Sequence, residues 1–424
     1  MGYAKNIGHN LLTQILKIIF GMLTGIIVAR ALGPAGQGYA AYILLVFNLL
    51  GTFGHLGIVS AAPYFQKKSA FARRDVFSTN LNTIALITLG LSIGVVLAYL
   101  FFGVLSDYSS FYVVLGIILM GLTLFVELFQ NWLVADERII ENNRAGLVSF
   151  FIKSGAILLL WVSGLLTPLT FVLVNAISLS IWLIQLLFKV HEGFSFKITG
   201  AILKAEYLYG SVAWTASLFA FLHYRLDQFM IKAYLGVKEL GVYTIAVTIA
   251  ELLFLLPMAI HSALSGRLFN ADDEAQGRHV VAKTFRLSML ICFLLCFVGA
   301  AGSFLIPFVY GKAYQGGTAI MLILLPGILF ASAPKLLSPW FFASGRPKVH
   351  LLATTISLGM NLVLNLIFIP IWGANGAAFA STISYFFYGA YYLVVMKYVD
   401  GFPLRTLLLP HRSDLEMLKG LLKR

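Results

Sequence analysis

Charge is what this chain of 424 residues has least of: Asp, Glu, Lys and Arg together make up 11% of it, against 60% hydrophobic residues. A soluble globular protein is about 25% charged, so this composition cannot supply a water-facing shell. Cysteine is scarcer still, with only Cys292 and Cys296. They lie four apart on one apolar helix with no His or carboxylate close by in sequence, and read as small buried side chains. They imply no disulfide framework and no cysteine-based metal site. No Gly-Lys-Ser/Thr phosphate loop occurs, which excludes an ATP-driven pump within the chain. The apolar runs are continuous rather than alternating, so strands are excluded as the main element. The first run also lacks a small-residue cleavage site and is expected to be a retained span.

What is present is a series of apolar stretches of about 20 residues, each long enough to cross about 30 Å of hydrocarbon. The chain is expected to be an all-α polytopic membrane protein. About twelve spans are predicted, at 10–30, 39–64, 78–102, 111–134, 145–163, 167–188, 209–235, 241–266, 284–306, 318–341, 350–370 and 376–397. Basic residues give the sidedness. One set of breaks, with both ends of the chain, holds 22 Lys and Arg; the opposite breaks hold three, Arg30, Lys238 and Lys312. By the positive-inside rule both termini are cytoplasmic. Much of the +13 net charge is therefore topological. It suits an anionic inner leaflet and does not call for nucleic acid. In the basic tail 401–424, Leu415, Leu418 and Leu422 recur at helical spacing beside Lys419, Lys423 and Arg424, which reads as an interfacial amphipathic helix.

Two patterns recur at nearly the same offset. Leu32-Gly33-x4-Gly38 returns as Leu235-Gly236-x4-Gly241, and Trp132-x2-Ala135-x2-Arg138 returns as Trp340-x2-Ala343-x2-Arg346. They fall at corresponding places of two six-span halves, so a tandem duplication is expected, with parallel halves because six is even. The reading is a six-helix lobe over 1–190, a cytoplasmic linker over 191–208 and a second lobe over 209–400. The stretch Gly33-Pro34-Ala35-Gly36-Gln37-Gly38 looks at first like a phosphate cradle. No strand precedes it, and it lies on the outer side. Pro34 stops the first span and the glycines allow positive φ. Gly33, Pro34, Gly38, Gly236 and Gly241 are therefore read as hinge or gate residues.

The same residues carry a resemblance. Asn10 followed by GIIVARALGPAGQGYAAY, then FGHLGI, and in the second half RLDQFMIKAYLGVKELGVYTIA, PFVYGKAYQGG and FFASGRPKV, resemble the polysaccharide and oligosaccharide-lipid flippases. These belong to the multidrug/oligosaccharidyl-lipid/polysaccharide exporter superfamily. The resemblance implies two six-helix lobes around a central cavity. It also implies alternating access that carries an undecaprenyl-diphosphate-linked oligosaccharide, a cell-surface polysaccharide repeat unit, across the cytoplasmic membrane. No cofactor is implied, but coupling to a proton or sodium gradient is. Other polysaccharide-assembly proteins are candidate partners.

Charges inside the spans mark the candidate site. There are five cations, Lys17, Lys153, Arg225, Lys232 and Lys335, against three acids, Glu127, Asp227 and Glu251. An ion at mid-span costs roughly 2.5–3.5 kcal/mol on insertion scales, so such groups must pair or line water. Lys153 and Arg225 are the candidate contacts for a diphosphate head group, and Arg30 beside the hinge reads either as a gate or head-group contact or as a side chain that snorkels to the outer interface. Asp227, four residues from His223, and Glu251, among apolar sequence neighbours, are the candidates for ion coupling; Asp227 also reads as a structural partner of His223 or a lysine. Lys17 and Lys232 are expected to snorkel to an interface, and Glu127 to be an interfacial cap or ion-pair member. The excess of cations favours an anionic substrate over the organic cations of a multidrug or toxin exporter, which is the alternative within the same superfamily. A membrane glycan polymerase or glycosyltransferase is a second alternative, but the outer breaks are short and carry no DxD pair or His cluster. No catalytic residue and no metal site are expected.

Overall fold

The computed structural model describes residues 3–68, 70–269, 274–346 and 348–408, and among them there is no β-strand. The tail helix expected near 413–424 lies outside the described residues. Among the described residues fourteen α-helices follow one another: α1 (Tyr3–Phe53), α2 (Ile58–Lys68), α3 (Arg73–Phe102), α4 (Ser110–Ala135), α5 (Ile139–Val162), α6 (Pro168–Leu187), α7 (Gly200–Leu235), α8 (Val237–Ala250), α9 (Leu255–Phe269), α10 (Glu274–Ser303), α11 (Ile306–Val309), α12 (Gly316–Ala343), α13 (Lys348–Tyr398) and α14 (Leu404–Leu408). Nine candidate membrane crossings stand out by length and apolarity among the described residues. Eleven of the twelve predicted spans map on to them, because the first and last of these segments each hold two. α1 bends at Gly33 and runs on towards α2, and α13 bends at Gly373. The remaining span is in α7, which is long enough but less apolar, since it carries His223, Arg225, Asp227 and Lys232.

The helix ends follow from local chemistry. At the start of α6, Thr167 Oγ1 accepts from Thr170 N at 3.2 Å and Thr170 Oγ1 accepts from Thr167 N at 2.8 Å. This reciprocal pair satisfies two otherwise orphaned amides, and Pro168 fills the first turn, where no amide is needed. The Trp–Ala–Arg repeat proves to be a backbone motif. Arg138 N bonds Leu133 O at 2.9 Å and Glu137 N bonds Val134 O at 3.0 Å; Arg346 N bonds Phe341 O at 2.8 Å and Gly345 N bonds Phe342 O at 3.1 Å. Glu137 has φ 59° and Gly345 φ 69°. Both are left-handed Schellman closures, in the same register of the two repeats.

Gly33 (φ 63°, ψ 176°) and Gly236 (φ 84°, ψ −179°) share one unusual conformation, a region open essentially to glycine alone. Pro34 follows the first bend. Gly38 and Gly241 lie within α1 and α8, so the bends rest on Gly33, Pro34 and Gly236. No atom stands within 4 Å of a Cβ built on either Gly33 or Gly236. Gly33→Ala or Gly236→Ala therefore meets backbone strain without a clash. Each is expected to lower stability by about 1–3 kcal/mol, read as a lowered thermal midpoint of the purified protein; an unchanged midpoint for both variants would refute it.

The chain divides into two compact units, Met1–Leu218 and Phe219–Arg424. The division falls inside α7, so the stretch 191–208 packs with the first unit. In that unit Phe47 of α1, Ile84 of α3, Leu124 of α4 and Val172 of α6 are buried in one cluster. A second cluster joins Phe77, Trp132 and Ile202. In the second unit Phe285, Leu336, Phe341 and Tyr392 form the core. On the outside, Leu86, Leu89, Ile93, Leu97 and Leu100 of α3 are all exposed at spacings of three and four, a stripe suited to lipid. Lipid tails are as apolar as these side chains, so helix association rests on close packing and interhelical hydrogen bonds. Where Arg138 leaves α4 it pairs with Glu141 at 2.7 Å and donates to Lys189 O at 2.8 Å. Its guanidinium, with Lys189 behind, holds the Glu141 carboxyl down at about 2.

Candidate functional site

Four helices of the first unit each carry a short polar stripe at helical spacing within an otherwise apolar span. These are Asn48 and Thr52 on α1; Thr123, Glu127 and Gln130 on α4; Gly146, Ser149 and Lys153 on α5; Asn175, Ser178 and Trp182 on α6. Residues three and four apart share a helix face. The four stripes converge on a single cavity of about 500 Å³, within the size range of small-ligand sites.

Two cations face this cavity. Lys153 Nζ donates to Asn175 Oδ1 at 2.7 Å, and Asn175 is aimed by donating its own amide to Phe171 O at 2.8 Å. Lys17 lies with Nζ 5.6 Å from the centre of the Trp182 ring. Neither lysine forms an ion pair among the described residues. Lys17 thus lines the cavity instead of merely snorkelling, and Glu127 is a wall residue instead of a cap. The Glu127 carboxylate stands 3.6 Å from His55 Nε2. His55 Nδ1 accepts from Gly57 N at 3.0 Å, so Nε2 carries the ring proton and points it at Glu127. Ser178 donates to Ser149 O at 3.0 Å and Gln185 to Ser149 Oγ at 3.1 Å, tying α5 to α6. The cavity therefore presents two ammonium groups, one carboxylate and several amides and hydroxyls. Such a wall suits a polyanionic head group bearing hydroxyls.

The second unit holds the other candidates differently. Arg225 and Glu251, read separately from the sequence as a head-group cation and a coupling carboxylate, form a bidentate pair at 2.7 and 2.8 Å. Each neutralises the other. Asp227 is buried and accepts from Tyr243 OH, from Ser381 Oγ at 3.1 Å and from Gln228 N at 2.7 Å. His223 does not bond Asp227 directly; its Nε2 lies 3.2 Å from Ser384 Oγ, and Ser384 donates to Ser381 O at 2.9 Å. Asn361 donates to Ser381 and Ser384, and Asn365 to Asn361. Asp227 is thus the charged member of a buried polar network made by α7, α8 and α13.

Lys335 lies over the rings of Tyr224 and Phe254, at 4.7 and 4.4 Å, beside a cavity of about 310 Å³. Pro339 cannot donate to the Lys335 carbonyl one turn back, and His261 Nδ1, 2.8 Å away, takes that place. Arg30 is exposed just before the Gly33 bend and is not part of the cavity wall. Cys292 and Cys296 are both free thiols. Among the described residues no group of His, Cys, Asp and Glu is arranged to hold a metal.

Known proteins give this geometry a context. The family described as "Polysaccharide biosynthesis protein" matches residues 3–269, and the MatE family matches residues 213–367. The "Putative O-antigen transporter" of Shigella flexneri is 23% identical over 406 residues, which cover 90% of this chain and 95% of that protein. The "Probable low-salt glycan biosynthesis flippase Agl15" of Haloferax volcanii is 22% identical over 181 residues, 42% of this chain and 38% of that one. Among solved structures, "Lipid II flippase MurJ, inward closed conformation" is similar with a TM-score of 0.74 at 17% identity, over 97% of this chain and 91% of the other. An inward-facing multidrug resistance MATE family transporter of the MOP superfamily gives 0.70 at 13% identity, over 91% and 95%. The fold is that of these multi-pass transporters, as the resemblance in the sequence implied.

Proposed function

This chain belongs to the polysaccharide biosynthesis protein family, and from that premise we propose that it flips a lipid-linked glycan across a membrane. The substrate is an undecaprenyl-diphosphate-linked oligosaccharide, a repeat unit of a cell-surface polysaccharide. The observation that carries this reading is the cavity of the first unit, where among the described residues Lys153 and Lys17 form no ion pair. A diphosphate supplies the missing negative charge, and the amides and hydroxyls around it suit sugar hydroxyls. An exporter of organic cations would need the opposite polarity.

The protein acts in a bacterial or archaeal cytoplasmic membrane with both termini inside, as the distribution of 22 basic residues against three favours. The head group enters the cavity with its phosphates on Lys153 and Lys17, while the polyprenyl tail stays in lipid. Arg30, next to the Gly33 bend, meets the head group at the rim. Alternating access then exposes the cavity to the other side. Arg225, tied to Glu251, contributes by opening that pair or by holding its helices together. Asp227 is the coupling group. Ser381 beside it, with Asn361 and Asn365 further along the network, offers oxygens, and among the described residues the buried Asn365 Oδ1 has no hydrogen-bond partner, so a proton or a sodium ion finds acceptors there. The anionic inner leaflet and other polysaccharide-assembly proteins are the partners.

Reconstitution in vesicles tests the reading. The wild-type protein is expected to expose a labelled undecaprenyl-diphosphate oligosaccharide on the opposite face, faster under an imposed proton or sodium gradient. Asp227→Asn is expected to retain slow flipping and lose the response to the gradient. Movement of organic cations with no movement of the glycan lipid would overturn the substrate; an Asp227→Asn variant that still follows the gradient would overturn the coupling.

A further inference from the structure

The linker carries a feature that neither the cavity nor the coupling network uses. Three side chains near the start of α3, Ser78, Thr79 and Asn82, fasten it. Ser78 Oγ accepts from Ser195 N at 3.0 Å, Thr79 Oγ1 accepts from Thr199 N at 3.1 Å, and Asn82 Nδ2 donates to Ser195 O at 2.8 Å. Just beyond, α7 comes so close to the chain ahead of α2 that a Cβ on Gly210 would lie 2.2 Å from Gly57 O. Between these two fastenings sits Glu206, 0% exposed, accepting from Asn80 Nδ2 at 3.0 Å.

Two acceptors are left over at this contact. Glu206 Oε2 and Asn80 Oδ1 are both buried, and among the described residues neither has a hydrogen-bond partner. Two bare lone-pair oxygens on one acid–amide pair are costly in a dry site. A single proton resolves both. We propose that Glu206 and Asn80 form a proton-binding site, in which the Glu206 carboxylic acid donates from Oε2 to Asn80 Oδ1 while Asn80 Nδ2 donates to Oε1. The two bonds close an eight-membered acid–amide ring that clamps the start of α7 to α3.

Among the described residues no cation pairs with this carboxylate, and several of the ionisable groups on the neighbouring elements are engaged with one another. Lys67 of α2 and Arg73 of α3 pair with Asp136, and Arg73 also reaches Glu192 of the linker. Arg74 donates to Phe194 O, and Glu127 of α4 faces His55. Tyr209 of α7 stacks on Tyr64 of α2 at 4.6 Å. Asp75, Lys197, Lys204 and Tyr207 complete the set, and among the described residues none of these groups forms an ion pair with Glu206. Glu206 precedes the expected span 209–235. Burial raises its carboxyl to about 8, with the Asn80 bond opposing the rise. An acid whose folded value lies above its unfolded value of 4.5 stabilises the fold fully below the lower value. That contribution is lost as pH rises to about 8.

Glu206→Gln separates a proton from an anion. The glutamine amide donates to Asn80 Oδ1 and accepts from Asn80 Nδ2, reproducing the ring without a titratable group. Infrared spectra of the full-length protein are expected to show a protonated-carboxyl C=O band at pH about 6 that vanishes as pH is raised past about 8 and is absent from E206Q. The thermal midpoint of the wild type is expected to fall from pH about 5 to about 8 more steeply than that of E206Q, and the two are expected to match at the acid end. The site is refuted if E206Q is as unstable as E206A or does not fold, or if subtracting the E206Q spectrum leaves no protonated-carboxyl band at pH about 6.

Discussion

Lys153→Ala is expected to slow glycan-lipid flipping by about 10- to 100-fold while leaving the thermal midpoint near that of the wild type. The magnitude is that of a charge-assisted hydrogen bond, about 1.5–3 kcal/mol. Stability is spared because the lysine's partner, Asn175 Oδ1, is neutral and already fixed by Phe171 O; removing Lys153 leaves no buried ion behind. Lys153→Arg keeps the charge and is expected to retain most of the activity. Asn175→Asp gives the sharper test. It places a carboxylate 2.7 Å from the ammonium, stabilises the lysine and removes its attraction for a phosphate, so flipping should fall with no loss of stability. Wild-type rates in both Lys153→Ala and Asn175→Asp would remove the head group from this cavity.

The second large effect concerns stability. Arg225 and Glu251 meet through two hydrogen bonds with side chains only 28% and 22% exposed. Truncating either one strands the other charge in a poorly solvated place, a loss of about 3–5 kcal/mol. Arg225→Ala and Glu251→Ala are each expected to lower the midpoint markedly. The double variant Arg225→Leu with Glu251→Leu is expected to recover much of the loss, because it leaves no ion behind. Strictly additive destabilisation would show that the two residues do not act as a pair.

How far the sequence reaches depends on whether a residue's partner lies on its own helix. Hydropathy located every long helix, because a span is a property of one segment. Lys153 was legible for the same reason: a lysine in SFFIKSGAILLLW has no local counter-ion and must seek water. Lys17 was not, since near a helix end a snorkelling lysine and a cavity-lining one look alike. The polar stripes Asn48–Thr52, Glu127–Gln130, Ser149–Lys153 and Asn175–Ser178 were a usable signal, because each alone is unremarkable but four at helical spacing are not. The Arg225–Glu251 pair joins α7 to the start of the 3₁₀ turn after α8. Twenty-six residues apart, the partners are brought together only by helix packing. Glu206 escaped because its stretch read as a polar linker, where a carboxylate raises no question; burial gives it meaning. The His223–Asp227 spacing suggested a pair, but Ser381 and Ser384 of a neighbouring helix took the hydrogen bonds instead.

The two Schellman closures show how little of the sequence the direction of a chain can depend on. Each turn is held by main-chain groups, and only the residue at positive φ is constrained, Glu137 in one copy and Gly345 in the other. Mutation can therefore rewrite the surrounding letters while the exit direction of the chain persists. Two exits of this chain are fixed in that way, one of them without a glycine at the left-handed position.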